Sequence, residues 1–285
     1  MNDQRLGRAM DTDVFLPAPN FSGQPFAPPA SEGARYDKFG PCTSYKGAFL
    51  CGSEWDEWVL ARALITDADT VIEFGSRFGT TSCVIAEALR NNGRLVAVEP
   101  DPRAHGHLVH NRKAHNCRFA IVRGTVSDSP LRLGGKRAGQ YNQATEISSN
   151  SNASGWGKML PNVAFTQLEA NLGTKFTVAL IDCEGCVKFV PQALLEQVSL
   201  VIIEEDGARI EHAAWHARLR GAGLRRIWHT HDTYWEPTPA GDRFFWSRTM
   251  MHAAWSRSSR LSVPSCTQYA SRMGYSTRFL NCSTP

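Results

Sequence analysis

No run in this chain of 285 residues approaches the roughly 18–20 consecutive apolar residues that span a bilayer, and the first thirty residues hold no hydrophobic core of signal-peptide type. The chain therefore reads as soluble, with a cytoplasmic location expected. It has no internal repeat. From Ser247 to Pro285 it has no Asp or Glu, although Arg248, Arg257, Arg260, Arg272 and Arg278 fall there. These arginines are scattered and no aromatic-rich binding motif accompanies them, so they read as a solvated basic surface and no nucleic-acid partner is expected. The eight cysteines (Cys42, Cys51, Cys83, Cys117, Cys183, Cys186, Cys266 and Cys282) lack regular spacing in a chain too long to need disulfide staples. Most are expected to be reduced core residues, with Cys42 and Cys51 able to pair in an oxidising compartment.

The apolar fraction of 42% and charged fraction of 20% are ordinary for a globular protein. Residues 1–35, rich in Pro, Gly, Ala and Ser, read as an extended arm. One domain is expected over 36–255, interrupted by a polar insertion near 127–161, and a basic tail over 256–285. SEWDEWVLARALI from Ser53 reads as a capped amphipathic helix. Short apolar runs then alternate with helical patterns, which is how a parallel sheet with crossover helices reads. Strands are predicted at Thr70–Phe74, Leu95–Glu99, Phe119–Arg123, Phe176–Asp182, Ser199–Glu204 and Leu224–His229, with helices over Thr80–Asn91 and Pro102–His115.

The first strand ends in Glu73-Phe74-Gly75-Ser76-Arg77-Phe78-Gly79. Gly75 and Gly79 lie where a strand turns into a helix, a place where backbone approaches a ligand and unpaired helix amides point at it. The dinucleotide pattern G-x-G-x-x-G is absent because Arg77 stands where its second glycine would be, which favours a ligand without a pyrophosphate. Glu99 ends the second strand, where an acidic side chain accepts the hydroxyl protons of an adenosine ribose. Thr125, after the third strand, is placed to meet an adenine, or is an ordinary strand exit.

With VIEFGSRFGTTS, LVAVEPDPRAHGHLVHNRKAHN, FTVALIDCEGC and LVIIEED in that order, the chain resembles the FkbM-type methyltransferase family from about Thr70 to Asp206. The resemblance implies a Rossmann-like class I methyltransferase fold: a mostly parallel seven-stranded sheet with helices on both faces. It implies S-adenosyl-L-methionine as cofactor and O-methylation of a hydroxyl on a sugar or natural product, hence a small-molecule or glycan acceptor. Glu73, Gly75, Ser76, Gly79, Glu99, Thr125 and Asp182 are the expected cofactor-binding residues, Glu73 through the methionine ammonium. The chain departs from the family in Glu73, in Ser76-Arg77-Phe78, and in Cys183 and Cys186 around Glu184-Gly185.

Asp182 and Glu184, at the carboxyl end of the fourth strand, are the catalytic candidates, with His231 as an alternative base. Each has a plain structural reading as a turn or packing residue. Glu204, Glu205, Asp206, His229, His231 and Asp232 end the next two strands and, with Asp182, could surround a divalent ion, but no metal is assigned. Cys183-Glu184-Gly185-Cys186 is formally a redox C-x-x-C, set aside because such motifs come early in their domain. Trp228, Trp255 and their aromatic neighbours read as core before pocket. Nitrogen or carbon methylation, and a silent adenosyl-binding scaffold, are the competing functions.

Overall fold

The computed structural model describes residues 13–19, 55–134, 146–148, 159–183, 186–205, 212–229 and 251–257. The described elements begin with strand β1 (Phe15–Leu16), helix α1 (Trp55–Leu64), β2 (Val71–Phe74), α2 (Thr80–Ala88), β3 (Leu95–Glu99), α3 (Pro102–Ala114) and β4 (Ala120–Arg123). Short strands follow: β5 (Thr125–Val126), β6 (Arg132–Gly134), β7 (Glu146–Ser148) and β8 (Asn162–Val163). The second half comprises α4 (Phe165–Leu172), β9 (Val178–Ile181), α5 (Gln192–Gln197), β10 (Leu200–Glu205), α6 (His212–Gly221), β11 (Arg225–His229) and β12 (Met251–Ser256).

Eight strands form one sheet in the order β1-β4-β3-β2-β9-β10-β12-β11. From β4 to β10 every neighbouring pair is parallel, as continuous apolar runs such as LVAV and VALI require when both faces are covered. β12 runs antiparallel between β10 and β11. Side chains of α1, α2 and α3, among them Trp58, Ile85 and Leu108, cover one face. Phe165 and Leu168 of α4, Leu194 and Leu195 of α5, and Trp215 and Leu219 of α6 cover the other. Chain order reverses at the β2–β9 boundary, so the crevice outside the carboxyl ends of those two strands is where this architecture takes a ligand.

The six expected strands all form, shifted by at most two residues at an end. Two further strands join the sheet, which has eight strands where seven were expected. Phe15 and Leu16, inside the stretch read as an extended arm, pair antiparallel with Val122 and Ile121. β12 falls where the basic tail begins, and its Trp255 is buried in the core, as expected of that aromatic. Within the polar insertion β6 and β7 pair as antiparallel strands, and β5 and β8, which flank it, pair in parallel.

The cysteine expectation is corrected. Cys83 is bonded to Cys117 and Cys183 to Cys186, and every cysteine among the described residues is paired. Burial alone does not separate a reduced from a bonded cysteine, and Cys83 and Cys117 are 34 residues apart, meeting only because α2 packs beside the turn that leads into β4. Cys42 and Cys51 lie outside the described residues, as does Ser53, the expected helix cap.

Candidate active site

Gly75 leaves β2 with φ +90, and its amide and that of Ser76 both donate to the Val98 carbonyl of β3. A Cβ on Gly75 would stand 1.6 Å from the Asp182 carbonyl oxygen, so the close approach that demands glycine is between this turn and the exit of β9. Arg77 is also left-handed, at φ 46, a conformation uncommon for a residue with a side chain. Gly79, at φ 80, opens α2 with no side-chain cap, and its amide donates to the Ser76 carbonyl.

Glu99 is buried at the end of β3. Its Oε2 accepts from the Arg77 amide at 2.7 Å and its Oε1 from the Asp101 amide at 2.7 Å. A carboxylate carries about four lone-pair positions, so two remain for ligand hydroxyls. Burial pushes its carboxyl up to about 7, against the lowering effect of the Asp101 and Arg77 amides and the Arg77 charge. Asp101 in turn caps α3 by accepting from the Arg103 amide, and its carboxylate meets the guanidinium groups of Arg103 and Arg77.

Glu73 projects from β2 toward α2, where Ser82 Oγ donates to it at 2.5 Å. Burial drives its carboxyl up to about 8; the Ser82 hydrogen bond lowers it, and the nearby Asp182 and Glu99 charges raise it further. Ser76 Oγ is buried and has no hydrogen-bond partner among the described residues. An orphaned hydroxyl is costly unless a ligand group completes it.

Thr125, expected near an adenine, is buried and donates to Asn162 Oδ1 at 2.8 Å, the neighbouring residue across the β5–β8 pair. Asp182 stands half-buried at the end of β9, its amide donating to the Phe74 carbonyl. The structure thus brings Glu73, Gly75, Ser76, Gly79, Glu99 and Asp182 to one edge of the sheet. Glu184 and His231 lie outside the described residues.

Of the residues considered around a divalent ion, Asp182, Glu204, Glu205 and His229 are described, and they form no metal-holding group. Glu204 and Glu205 are successive on β10 and face opposite sides of the sheet. Glu205 Oε1 meets His216 Nε2 at 2.7 Å and its Oε2 meets His229 Nε2 at 3.3 Å. Among the described residues no group of three or more His, Cys, Asp or Glu side chains is arranged to hold a metal. Asp206 and Asp232 are outside them. Reading the sequence missed Arg77, Asp101 and Ser82 as parts of the site, and His216 as a partner of Glu205. Asp101, at N-cap spacing before Pro102, carried a signal for its capping role alone.

No family model matches the chain, and no curated protein matches it. Solved structures of similar fold include a precorrin-6y C5,15-methyltransferase from Geobacter metallireducens, 10% identical over 72% of this chain and 87% of that one, with a TM-score of 0.41. Aeropyrum pernix fibrillarin with natively bound S-adenosyl-L-methionine is 12% identical over 70% and 74%, with a TM-score of 0.39. The Methanococcus jannaschii fibrillarin, a pre-rRNA processing protein, is 11% identical over 66% of each chain, with a TM-score of 0.38. These are likenesses of fold alone. The strand order, with its antiparallel β12 between β10 and β11, gives this chain the Rossmann-like fold of class I methyltransferases. The expectation of a small-molecule or glycan acceptor with no nucleic-acid partner is corrected: a pre-rRNA processing protein stands among the structures of similar fold.

Proposed function

We propose that this protein is an S-adenosyl-L-methionine-dependent methyltransferase that methylates a hydroxyl oxygen. The observation that carries the reading is the buried Glu99 carboxylate across from the Gly75–Gly79 turn, with lone pairs to spare for a ribose diol. The Ser76 hydroxyl, without a partner among the described residues, fits the same ligand as a further polar contact. Hydroxyl as the acceptor group follows from the FkbM-type resemblance of VIEFGSRFGTTS, the Glu99-Pro100-Asp101 turn and Ile181-Asp182-Cys183-Glu184-Gly185.

When bound, the cofactor supplies an electrophilic methyl group on a sulfonium. Glu99 and Ser76 then hold its nucleoside end, while Glu73, once ionised, offsets its ammonium charge. Asp182, at the switch point between β2 and β9, accepts the proton of the acceptor hydroxyl as the oxygen attacks. Glu184 and His231 are the further candidates for that proton.

Calorimetry with S-adenosyl-L-methionine and S-adenosylhomocysteine on the wild type and Glu99→Ala tests the cofactor half. Absence of binding to the wild type overturns it; unchanged affinity in the variant overturns the ribose assignment. Labelled-methyl assays against a panel that includes sugars, small hydroxylated compounds and RNA test the oxygen half, which product analysis showing an N- or C-methyl group would overturn.

A further inference from the structure

The two disulfides differ in a way that bears on chemistry. Cys83 and Cys117 are 6% and 0% exposed within the core and join α2 to the residues before β4. That bond is a structural tie. Cys183 and Cys186 are three residues apart at the exit of β9, and Cys183 is partly exposed while Cys186 is buried at 6%. A partly exposed cysteine bonded to a buried one in a C-x-x-C pair is the arrangement in which an external thiolate attacks the outer residue and expels the inner.

The bond also sits one residue from the contact that fixes the cofactor turn. The Asp182 amide donates to the Phe74 carbonyl at 3.0 Å, and the Asp182 carbonyl fills the space beside Gly75 where a Cβ would be. The Cys186 amide donates back to the Cys183 carbonyl at 3.2 Å, so the bonded pair is also tied through the backbone immediately after Asp182. The backbone of Asp182 and Cys183 thus touches Phe74 and Gly75 directly, with no side chain needed as intermediary.

We propose that Cys183–Cys186 is a thiol–disulfide exchange site, reduced by a vicinal dithiol, whose redox state sets the geometry of the Gly75–Gly79 turn. The consequence for cofactor affinity rests on the reading of that turn as the cofactor site. In the exchange, a dithiol thiolate attacks Cys183 Sγ and forms a mixed disulfide, and Cys186 leaves as a thiolate that takes up a proton. The second thiol of the reductant then displaces Cys183. The protein gains two electrons and two protons, and the reductant closes to its own disulfide. Because the bond closes so short a loop, its loss leaves the fold standing while freeing the turn.

The test uses the full chain, oxidised and without denaturant, titrated with dithiothreitol, trapped with iodoacetamide and mapped by peptide mass spectrometry. Cys183 and Cys186 are expected to become alkylated while Cys83 and Cys117 stay protected. Hydrogen exchange of the peptide covering Val71 to Ser82 is expected to speed up in the reduced form. S-adenosylhomocysteine affinity is expected to change by at least about fivefold, the low end for coupled sites. Cys183→Ser/Cys186→Ser is expected to match the reduced protein and to ignore dithiothreitol. Opening of the two disulfides together overturns the exchange site, and identical hydrogen exchange or equal affinity in the two states overturns the coupling. If S-adenosylhomocysteine binds neither state, the cofactor reading fails, and alkylation with hydrogen exchange still decides this proposal.

Discussion

The main-chain amide of Arg77 donates to Glu99 Oε2 at 2.7 Å, so the carboxylate that ends β3 holds the turn that follows β2. The same group is thus part of the scaffold and, under the proposed function, the ligand acceptor as well. Glu99→Gln removes the charge and sets an amide donor against a main-chain N–H. It is expected to weaken S-adenosylhomocysteine binding by about 10–100-fold, the loss of hydrogen bonds to a charged group worth about 1.5–3 kcal/mol. Unchanged calorimetric affinity would remove Glu99 from the site.

Binding is expected to depend on pH through the same residue. Its carboxyl is raised to about 7, so below that pH it carries a proton that must leave before ribose hydroxyls can donate to both oxygens. Affinity should rise as pH increases through 7 and then level off, with net proton release visible as a dependence on the buffer's ionisation enthalpy. Glu99→Gln should flatten that rise; a wild-type affinity that falls with pH contradicts the assignment.

Glu73 links the site to stability. Its carboxyl moves from an ordinary 4.5 to about 8 on folding, chiefly through burial, so between those values the folded chain binds a proton that the unfolded chain does not. Its stabilising effect is full below pH 4.5 and is lost as pH rises through 8. Glu73→Gln keeps the neutral shape and should reduce the decline of stability over that window, measured by urea unfolding at pH 5 through 8.5. A variant whose pH slope equals the wild type's would place the proton elsewhere.

The parallel core was legible because burial on both faces leaves a direct mark: LVAVE and LVIIEE are unbroken apolar runs ending in carboxylates, and they became β3 and β10. β12 was not, since MHAAWS has neither such a run nor a clean alternation, and its place depends on pairing with Leu200–Glu205, some fifty residues earlier. The Gly75–Gly79 turn and Glu99 were legible as a pair through their spacing. What holds them was not: nothing in the sequence marks Arg77 as left-handed, or says that the space beside Gly75 belongs to Asp182. The β5–β8 pair, on either side of the polar insertion, was not legible because two-residue strands have no period to read.

Two glycine substitutions should go in opposite directions. Gly75→Ala puts a methyl group 1.6 Å from the Asp182 carbonyl oxygen at a φ of +90, and backbone cannot move aside as a flexible side chain can. The loss should exceed about 3 kcal/mol, in the diagnostic tail of point-mutant effects. Gly106→Ala, inside α3 with open space around the added methyl, should stabilise by about 0.5–1 kcal/mol. Denaturant midpoints on both variants check this, and a mildly tolerated Gly75→Ala would show that the turn is free of Asp182.

Glu205 supplies the opposite pH signature to Glu73. Burial opposes its ionisation, but hydrogen bonds from His229 and His216, with their charges, prevail and hold the carboxyl at about 2 instead of 4.5. Its contribution is therefore fully present above pH 4.5 and is lost as pH falls toward 2. Glu205→Gln leaves two imidazoles of α6 and β11 without their shared carboxylate and should cost about 3 kcal/mol near neutral pH, as when one partner of a buried pair is removed. As pH falls below 4.5 the unfolded wild-type chain takes up a proton at this carboxylate before the folded chain does, so the gap between the two proteins should narrow. Urea unfolding at pH 7 and pH 3 measures both gaps, and a difference that widens in acid would show that the Glu205 carboxylate is not held ionised between His216 and His229.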